Sequence, residues 1–263
     1  MSSLAFKLLL TPALIGIASL AGRRWGTAVS GWLVGLPLTS GPIAFFLALN
    51  HGPAFAAEAA AGTLTGAISQ AAFCLAYGWL ALRWDWPLAL AVSCLTFAAL
   101  TALLQYLALP LALLFLLVIA VLGIALRAMP ARAEASPQAT NPQPRWDIPA
   151  RMVIATAFVL LLTGLAPAFG PRLTGLLAPF PLYAAILAIF AHRLQGPASA
   201  ALVLRGLLLG LFSFAGFFLA LAALLEPLGI APAFATAIIV ALTIQAGSLW
   251  VMQRASARAP INT

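Results

Sequence analysis

Long apolar segments fill most of this chain, with short polar connections between them. A helix needs about 20 mostly apolar residues to cross a lipid bilayer. Segments of this kind recur along the chain, and we predict a membrane-spanning helix in each. The nine predicted spans are, in chain order, 5–22, 28–49, 54–82, 87–107, 109–127, 150–168, 173–192, 197–225 and 231–252.

The scarcity of charge supports placing these segments in a bilayer. Charged residues make up 7% of the 263 positions and hydrophobic residues 64%, whereas soluble domains carry about 25% charged residues. A chain with so few charges cannot cover a water-facing surface, so we predict an all-α integral membrane protein. The net charge of +8 comes from basic residues that are scattered between apolar segments. They form no clustered basic patch, so we expect no nucleic-acid partner.

One stretch of the chain is polar over many residues. Five prolines lie between positions 130 and 149, together with Ser, Gln, Asn and Thr. Such a composition cannot bury enough apolar area to fold, so we predict a flexible cytoplasmic linker over 128–149. This linker separates a first unit of four spans over 5–107 and a connecting helix over 109–127 from a second unit over 150–252.

The Lys and Arg residues predict the orientation, because cytoplasmic connections of membrane proteins carry an excess of them. With the linker in the cytoplasm and the spans alternating, ten fall on the cytoplasmic side: Arg23, Arg24, Arg83, Arg127, Arg132, Arg145, Arg151, Arg193, Arg254 and Arg258. Lys7 and Arg172 fall on the outer side, and Arg205 lies within a span. We therefore predict an N-terminus outside and a C-terminus in the cytoplasm.

The chain matches itself when it is shifted by 144 positions. Between residues 31 and 80, 20 of 50 positions carry the same residue as the position 144 further on, without a gap. The most specific matches are Gly31 with Gly175, Pro37 with Pro181, Phe46 with Phe190, Gly52 with Gly196, Pro53 with Pro197, Gly62 with Gly206, Gly66 with Gly210, Ser69 with Ser213 and Phe73 with Phe217. We infer an internal duplication, in which spans one to four correspond to spans six to nine.

The fifth span has no counterpart in this duplication. Its single crossing turns the second unit upside down relative to the first, and the positions of the Arg residues lead to the same orientation. The predicted architecture is therefore a 4+1+4 inverted repeat, which is typical of secondary transporters. Such transporters often bind substrate near the midplane, at interrupted helices in corresponding positions of the two halves.

Helix-breaking stretches lie at matched positions inside the second and seventh spans. Residues 35–42 read Gly-Leu-Pro-Leu-Thr-Ser-Gly-Pro, and residues 178–183 read Ala-Pro-Phe-Pro-Leu-Tyr. Proline has no N–H and crowds the preceding turn, so we expect interruptions near Pro37 and Pro181. Two roles are open for these prolines: they line a midplane substrate site, or they only kink the helices for packing.

The first unit resembles a known family. From Lys7 through residues 35–40 to about Leu104, it is similar to the small bacterial GlpM-like membrane proteins, which are about that long and carry a Leu-Pro-Leu-Thr-Ser stretch in the second helix. The resemblance implies a bacterial inner-membrane location and a link to envelope polysaccharide production, without defining an activity. The second unit looks like a diverged copy, with Tyr183 and Ala184 in place of the Thr-Ser pair. The chain is more loosely similar to drug/metabolite transporters, whose large members are inverted duplications.

Two hydroxyl side chains are candidates for a substrate site beside Pro37 and Pro181. Thr39 and Ser40 follow Pro37 after one intervening residue, Leu38. They either line a polar cavity or donate hydrogen bonds to carbonyls that the break leaves free. The second unit has no hydroxyl pair at the matching place, so we expect any site to be asymmetric.

Glu58 and Arg205 are ionisable side chains within the third and eighth spans. Glu58 lies near the outer end of its span, where it either serves a substrate site or is a wetted carboxylate favoured by the helix dipole. Arg205 lies about 12 Å inside its span. It either binds an anion or a carboxylate there, or snorkels to the interface. The matching positions are Leu202 and Ala61, so these charges are also unequal between the halves.

Small residues and amides are expected to join helices. Gly62 and Gly66 on the third span, and Gly206 and Gly210 on the eighth, form small-xxx-small pairs. Such pairs let helices pack closely, either between the two halves or against a second copy or another membrane protein. Three amides at membrane depth are expected to join helices in a similar way: Gln70, Gln105 and Gln245.

The sequence shows no catalytic or cofactor-binding pattern. It has no Ser/His/Asp spacing, no paired His for zinc, no P-loop and no Gly-rich dinucleotide turn. Cys74 and Cys94 both lie in apolar runs, where we expect buried thiols and neither a disulfide nor a metal site. We therefore expect no enzymatic activity, no cofactor and no bound metal.

Two functions from different classes are open. We expect a secondary transporter of a small molecule or ion, which works by alternating access around the broken second and seventh spans. The alternative is a non-transporting accessory subunit of a cell-envelope system related to polysaccharide. Such a subunit would use its glycine faces to bind the helices of a partner.

Overall fold

The computed structural model of the protein describes residues 9, 12–13, 20, 24, 32–33, 35–38, 40–130 and 146–257. In these ranges it contains eight α-helices and no strand. They are α1 (Ser40–His51), α2 (Pro53–Leu80), α3 (Trp86–Leu104), α4 (Leu111–Ala128), α5 (Asp147–Leu177), α6 (Leu182–Gln195), α7 (Pro197–Leu228) and α8 (Ile230–Ala257). Most of the predicted first span, Thr39 and most of the predicted linker lie outside the described residues.

Five helices are long and apolar enough to cross a membrane. They are α2, α3, α4, α7 and α8, the last over Ile230–Ser248. Their ends agree within a few residues with the predicted third, fourth, fifth, eighth and ninth spans. The described part of the chain is therefore all-helical and has the composition and helix lengths of a membrane-embedded protein.

The centre of the bundle is the pair α2 and α7. Among the described helices, these two make the most extensive contact, and both bury more of their length than α3, α4 or α8. The lone helix α4 contacts α2 and α7 to the same extent. Because α2 and α7 are matching helices under the 144-residue shift, the two matching units meet along the centre of the molecule.

A short non-helical stretch precedes α1. We call residues 35–38 the first break. Within it, the N–H of Leu38 donates to the carbonyl of Leu36 at 2.7 Å. The carbonyl of Pro37 then accepts from the N–H of Gly41 at 2.8 Å, which begins the hydrogen-bond ladder of α1.

A second non-helical stretch separates α5 from α6 and repeats this geometry. We call residues 178–181 the second break. The N–H of Leu182 donates to the carbonyl of Phe180 at 2.7 Å, and the carbonyl of Pro181 accepts from Ala185 at 2.7 Å. Each of these atoms lies 144 positions after its counterpart in the first break. Interruption of the chain at Pro37 and Pro181, expected from their lack of an N–H, is therefore present at both places.

A short helix follows each break in the chain. α1 has 12 residues and α6 has 14, which at 1.5 Å per residue gives about 18 Å and about 21 Å. The hydrocarbon core of a bilayer is about 30 Å thick. Each short helix therefore covers only part of a crossing and begins inside the bundle, at its break.

Matching glycine turns end α1 and α6. Gly52 has φ 88° and ψ 167°, and Gly196 has φ 89° and ψ 172°. Positive φ is accessible to glycine at little cost. Pro53 and Pro197 follow in the first turn of the next helix, where their fixed φ suits a helix start. The Gly-Pro pairs thus turn the chain into the two central helices in the same way.

The boundary predicted between the sixth and seventh spans is a kink within one long helix. α5 runs through this region, and Gly170 inside it has φ 72° and ψ 171°, just before Pro171. The chain changes direction at this glycine without a separate loop. The larger interruption comes later, at the second break.

Contacts between helix ends show which connections share one end of the bundle. Trp79 Nε1 in α2 donates to the carbonyl of Ala128, the last residue of α4, at 2.9 Å. The Arg193 guanidinium of α6 lies 5.6 Å from the ring centroid of Trp86 at the start of α3. The ends of α2, α4 and α6 and the start of α3 therefore lie together.

The opposite end of the bundle holds the connection between α3 and α4. There the Arg172 guanidinium of α5 donates to the carbonyl of Leu107. α3 has 19 residues, so the two ends are about 28 Å apart along it. Arg172 thus lies at one end, and Arg83, Arg127 and Arg193 lie at the other, as the charge pattern requires. Which end faces the cytoplasm stays a prediction.

Cysteine labelling should report the two ends separately. We expect Trp84→Cys and Tyr106→Cys to react with a membrane-impermeant maleimide from opposite sides of the membrane, because both side chains are exposed and flank α3. The background carries Cys74→Ala and Cys94→Ala to remove the native thiols. With the predicted orientation, Tyr106→Cys reacts in intact spheroplasts and Trp84→Cys only in inside-out vesicles. Labelling of both positions from one side would contradict the placement of the ends.

Candidate functional site at the two helix breaks

A buried hydrogen bond joins the two breaks. The hydroxyl of Ser40, the first residue of α1, donates to the carbonyl of Ala178 in the second break at 2.9 Å. Ser40 is 2% exposed. The last carbonyls of a helix have no donor within it, and Pro179 and Pro181 have no N–H to offer. Ser40 therefore donates to a freed carbonyl, but that carbonyl belongs to the other break.

Each break packs against a glycine on the central helix of the other half. Gly35 in the first break touches Gly210 of α7, where an added Cβ would lie 2.6 Å from the Gly35 Cα. Pro179 in the second break touches Gly66 of α2, where an added Cβ would lie 2.5 Å from the Pro179 Cγ. The two contacts use positions that match under the 144-residue shift. The halves are thus interlocked by the same contact made twice.

α8 provides a donor to the first break. The carbonyl of Trp32 accepts from the N–H of Gly35 at 3.2 Å, and the N–H of Leu36, which would reach Trp32 in a continued α-helix, donates to Leu33 at 3.1 Å. The Nε2 of Gln245 donates to the Trp32 carbonyl at 3.0 Å, and the Trp32 indole donates to the Ser248 hydroxyl at 2.8 Å. Gln245 therefore joins α8 to the broken helix, as expected of an amide at membrane depth.

Aromatic rings reinforce the same crossed arrangement. Phe180 in the second break packs edge-on against Phe97 of α3, with ring centroids 5.3 Å apart. Phe45 of α1 packs edge-on against Phe234 of α8, also at 5.3 Å. Edge-to-face pairs at this distance are favourable beyond the area that they bury. Each broken segment is thus covered by a peripheral helix from the other half.

The predicted site residues around the breaks are partly brought together. Pro37 is half-buried, and Ser40 and Pro181 are buried. Ser40 reaches the second break directly through the carbonyl of Ala178. Thr39 lies outside the described residues.

Glu58 and Arg205 lie on opposite sides of the breaks. Glu58 is exposed and precedes Gly66 by two turns of α2, and Arg205 is half-buried and precedes Gly210 on α7. At 1.5 Å per residue these offsets are about 12 Å and about 8 Å. α2 and α7 run in opposite directions, because α2 starts at the end of the bundle where α7 ends. Glu58 and Arg205 therefore lie on opposite sides of the breaks, and their two distances from the breaks add. The separation, on the order of 20 Å, is too long for a direct ion pair.

The predicted glycine faces are occupied within the chain. Gly62, Gly66, Gly206 and Gly210 are all buried. An added Cβ on Gly62 would lie 2.6 Å from the Arg172 carbonyl, and the faces of Gly66 and Gly210 meet the two breaks. Gly62, Gly66 and Gly210 therefore pack the two halves of one chain. Binding of a second chain stays a prediction.

Metal-binding groups are dispersed in the described part of the chain. Within it, no group of three or more His, Cys, Asp or Glu side chains lies close enough together to hold a metal ion. Cys74 is buried, Cys94 is half-buried, and both are free thiols.

Comparison with known proteins adds no assignment. No family model, no curated protein and no solved structure matches this chain. The resemblance of the first unit to GlpM-like proteins therefore stays a prediction.

Sequence reasoning expected Gln245 of α8 to join helices, but it missed the partner of Gln245 and the contact that α3 makes through Thr101. Thr101 of α3 donates to the Ser69 hydroxyl of α2 at 3.0 Å. Gln245 occupies the matching position on α8, and it bonds to Trp32. The signal in the sequence was that Thr101 and Gln245, both polar, lie at matching positions of the predicted fourth and ninth spans. The partner of Gln245 is a backbone carbonyl, which residue type does not reveal.

Replacing Ser40 by alanine should destabilise the fold. The variant leaves the buried carbonyl of Ala178 without its donor, and we expect the free energy of unfolding to fall by about 1–3 kcal/mol. Thr243→Val is the matched control, because the Thr243 hydroxyl is exposed and donates to Ile239 in its own helix. Thermal unfolding in detergent compares the two variants. An equal loss in both would contradict a special role for the Ser40 hydroxyl.

Replacing Gly210 by alanine should destabilise the contact between α7 and the first break. The added methyl would lie 2.5 Å from the Trp32 carbonyl oxygen, and overpacking of this kind costs about 1–3 kcal/mol. Gly164→Ala on α5 is the control, because no atom lies within 4 Å of the added methyl and alanine favours the helix. Both are measured by thermal unfolding. Equal midpoints for the two variants would rule out the close contact with the first break.

Proposed function

We propose that this chain is a secondary transporter of a small solute in the bacterial inner membrane, with its site at the midplane where the two breaks meet. One observation carries the proposal. Each break makes the same backbone hydrogen bonds at positions 144 apart, and the Ser40 hydroxyl joins the two breaks by donating to the carbonyl of Ala178. Interrupted helices in corresponding positions of two repeats often hold the substrate site of such transporters. The proposal involves no covalent chemistry and no cofactor.

The proposal includes nine spans in a 4+1+4 inverted repeat. The identical turns at Gly52 and Gly196 support it, as does the equal contact of α4 with α2 and α7. α4 is then the single crossing that inverts the second unit. The end with the most Arg residues is the cytoplasmic end. Descent from a duplicated GlpM-like unit is part of the same proposal.

The hydroxyls and prolines form the centre of the proposed site. Pro37 and Pro181 keep the breaks open because they give no N–H to a continuous helix. Ser40 holds the second break through Ala178. Thr39, next to Ser40 in the chain, offers a second hydroxyl at the first break in this proposal.

Glu58 and Arg205 serve the two entrances of the proposed pathway. Glu58 lies on the Arg172 side of the breaks, and Arg205 lies on the opposite side. Ionisable side chains within membrane helices are costly and commonly mark solute pathways. In this proposal they act on solute in transit, one from each side, and not as a pair.

Alternating access follows from the lengths of the helices. α1 and α6 are short helices that begin inside the bundle at the breaks, whereas α2 and α7 run the full length of the centre. In inverted-repeat transporters, one repeat rocks against the other around a fixed site. We propose that α1 and α6 move about their breaks and expose the site to one side at a time.

The accessory-subunit alternative would bind partner helices through the glycine faces. Gly62, Gly66 and Gly210 are covered by residues of the same chain. A partner would therefore have to displace the contacts that hold the breaks. This observation favours transport over the alternative.

Transport by the purified protein in liposomes tests the proposal. We expect uptake of at least one class of small solute above protein-free liposomes. Pro37→Leu and Pro181→Leu should each lower the initial rate about tenfold, or about 1.4 kcal/mol in the barrier, because leucine lets the helix continue. Pro87→Leu is the control, since Pro87 is exposed in the first turn of α3. A folded wild-type protein that moves no solute and co-purifies with a stable membrane partner would overturn the proposal.

A further inference from the structure

Two buried amide oxygens have no hydrogen-bond partner in the described part of the chain. They are Gln70 Oε1 on α2 and Gln245 Oε1 on α8. Their side chains are 6% and 4% exposed. An acceptor buried without a donor destabilises the fold, and native proteins keep few such groups. By contrast, the backbone carbonyls of Ala178 and Trp32 at the breaks both accept hydrogen bonds from side chains.

The orientation of the Gln245 amide is set by its neighbours. Nε2 donates to the Trp32 carbonyl at 3.0 Å, so the remaining amide atom is an oxygen that only accepts. The nearby hydroxyl of Ser248 already donates to the backbone carbonyl of Gln245 at 2.9 Å. The Trp32 indole donates to that same hydroxyl. Within the described residues, no donor is therefore left for Gln245 Oε1.

Gln70 faces the second break. It lies one turn after Gly66, which touches Pro179, and two turns before Tyr77. The Tyr77 hydroxyl lies 3.4 Å from the Nδ1 of His192 in α6. Residues four and seven apart share a face of a helix. The face of α2 that carries Gln70 is therefore the face that meets Pro179 in the second break and, through Tyr77, His192 of α6.

The two glutamines lie at the same depth in the bundle. α2 and α8 both start at the end that holds Arg172. Gln70 lies about 25 Å along α2 and Gln245 about 23 Å along α8, at 1.5 Å per residue. One unpartnered acceptor is thus placed at each break and at one level.

The interior around the breaks carries no charge to match an ion. Among the buried side chains of the described residues there is no Asp, Glu, Lys, Arg or His; those with polar groups are Ser, Thr and Gln side chains together with Trp32, Cys74 and Tyr77. An ionised solute would need a compensating charge at this depth. Two lone acceptors need O–H or N–H groups.

We propose that Gln70 and Gln245 bind the hydrogen-bond donors of a neutral solute, a small polyol or a urea-like amide, held between the two breaks. This inference rests on the proposed transport function and specifies its substrate class. The solute completes the hydrogen bonding that the fold leaves open. Its binding is therefore linked to the stability of the breaks.

Stopped-flow light scattering of proteoliposomes tests the inference. The solutes are ribitol and urea as neutral donors, with gluconate and choline as charged solutes. We expect entry of ribitol or urea above protein-free liposomes, and whichever enters identifies the polyol or the amide class. Gln70→Leu and Gln245→Leu should each slow that entry about tenfold, a rise of about 1.4 kcal/mol in the barrier. Gln105→Leu, an amide replacement at the end of α3 away from the breaks, should leave it unchanged.

A binding measurement distinguishes the loss of a solute contact from misfolding of a variant. Bound solute raises the unfolding temperature of the native protein. The transported solute should therefore raise it in detergent for wild type and for Gln105→Leu, but not for Gln245→Asn, which keeps the amide and withdraws it by one methylene. Wild-type entry rates in both Gln→Leu variants would overturn the inference, since the oxygens would then hold structural water. Entry of gluconate or choline alone would overturn it and leave the transport function standing. Entry of none of the four solutes would also overturn the inference, and it would overturn the transport function as well if the folded protein co-purifies with a stable membrane partner.

Discussion

Inside a membrane, every backbone N–H and carbonyl has to find its partner within the protein, because no water is available to replace it. A continuous helix meets this requirement alone, but a helix interrupted by proline does not. In this chain, side chains from other helices also donate to the carbonyls at the two breaks. Ser40 donates to Ala178 across the two breaks, and Gln245 donates to Trp32 from α8. The breaks therefore depend on assembly of the whole bundle, and the bundle is tied together by the breaks.

Close packing makes these hydrogen bonds reachable. Gly66 and Gly210 have no side chain, so each break can lie directly on the central helix of the other half. Without a hydrophobic driving force between helices in lipid, such contacts and the polar bonds carry much of the association. The same arrangement concentrates polar groups at one level of an otherwise apolar molecule. This level is the solute site of the proposed transport function, and the unpartnered amide oxygens of Gln70 and Gln245 lie there.

The helices and the breaks were predictable from the sequence because they depend on local chemistry. Apolar length fixes α2 and α7, Gly-Pro pairs mark their starts, and the absence of an N–H interrupts the chain at Pro37 and Pro181. The partners across the bundle were not predictable in this way. Ser40 and Gln245 bond to backbone carbonyls, which every residue carries, so residue type does not single them out. Sequence gives the depth of a residue along its helix but not which helix faces it.

The central claim is that each break rests on the glycine of the opposite central helix, and a double-mutant cycle tests it most directly. An added methyl on Gly66 would meet the ring of Pro179 at 2.5 Å, so Pro179→Ala should relieve part of the cost of Gly66→Ala. Thermal unfolding in detergent should show coupling of at least about 0.5 kcal/mol for this pair. Gly210→Ala meets Gly35 and Trp32 instead, and should add to Pro179→Ala without coupling. Additive effects of Gly66→Ala and Pro179→Ala would contradict the account.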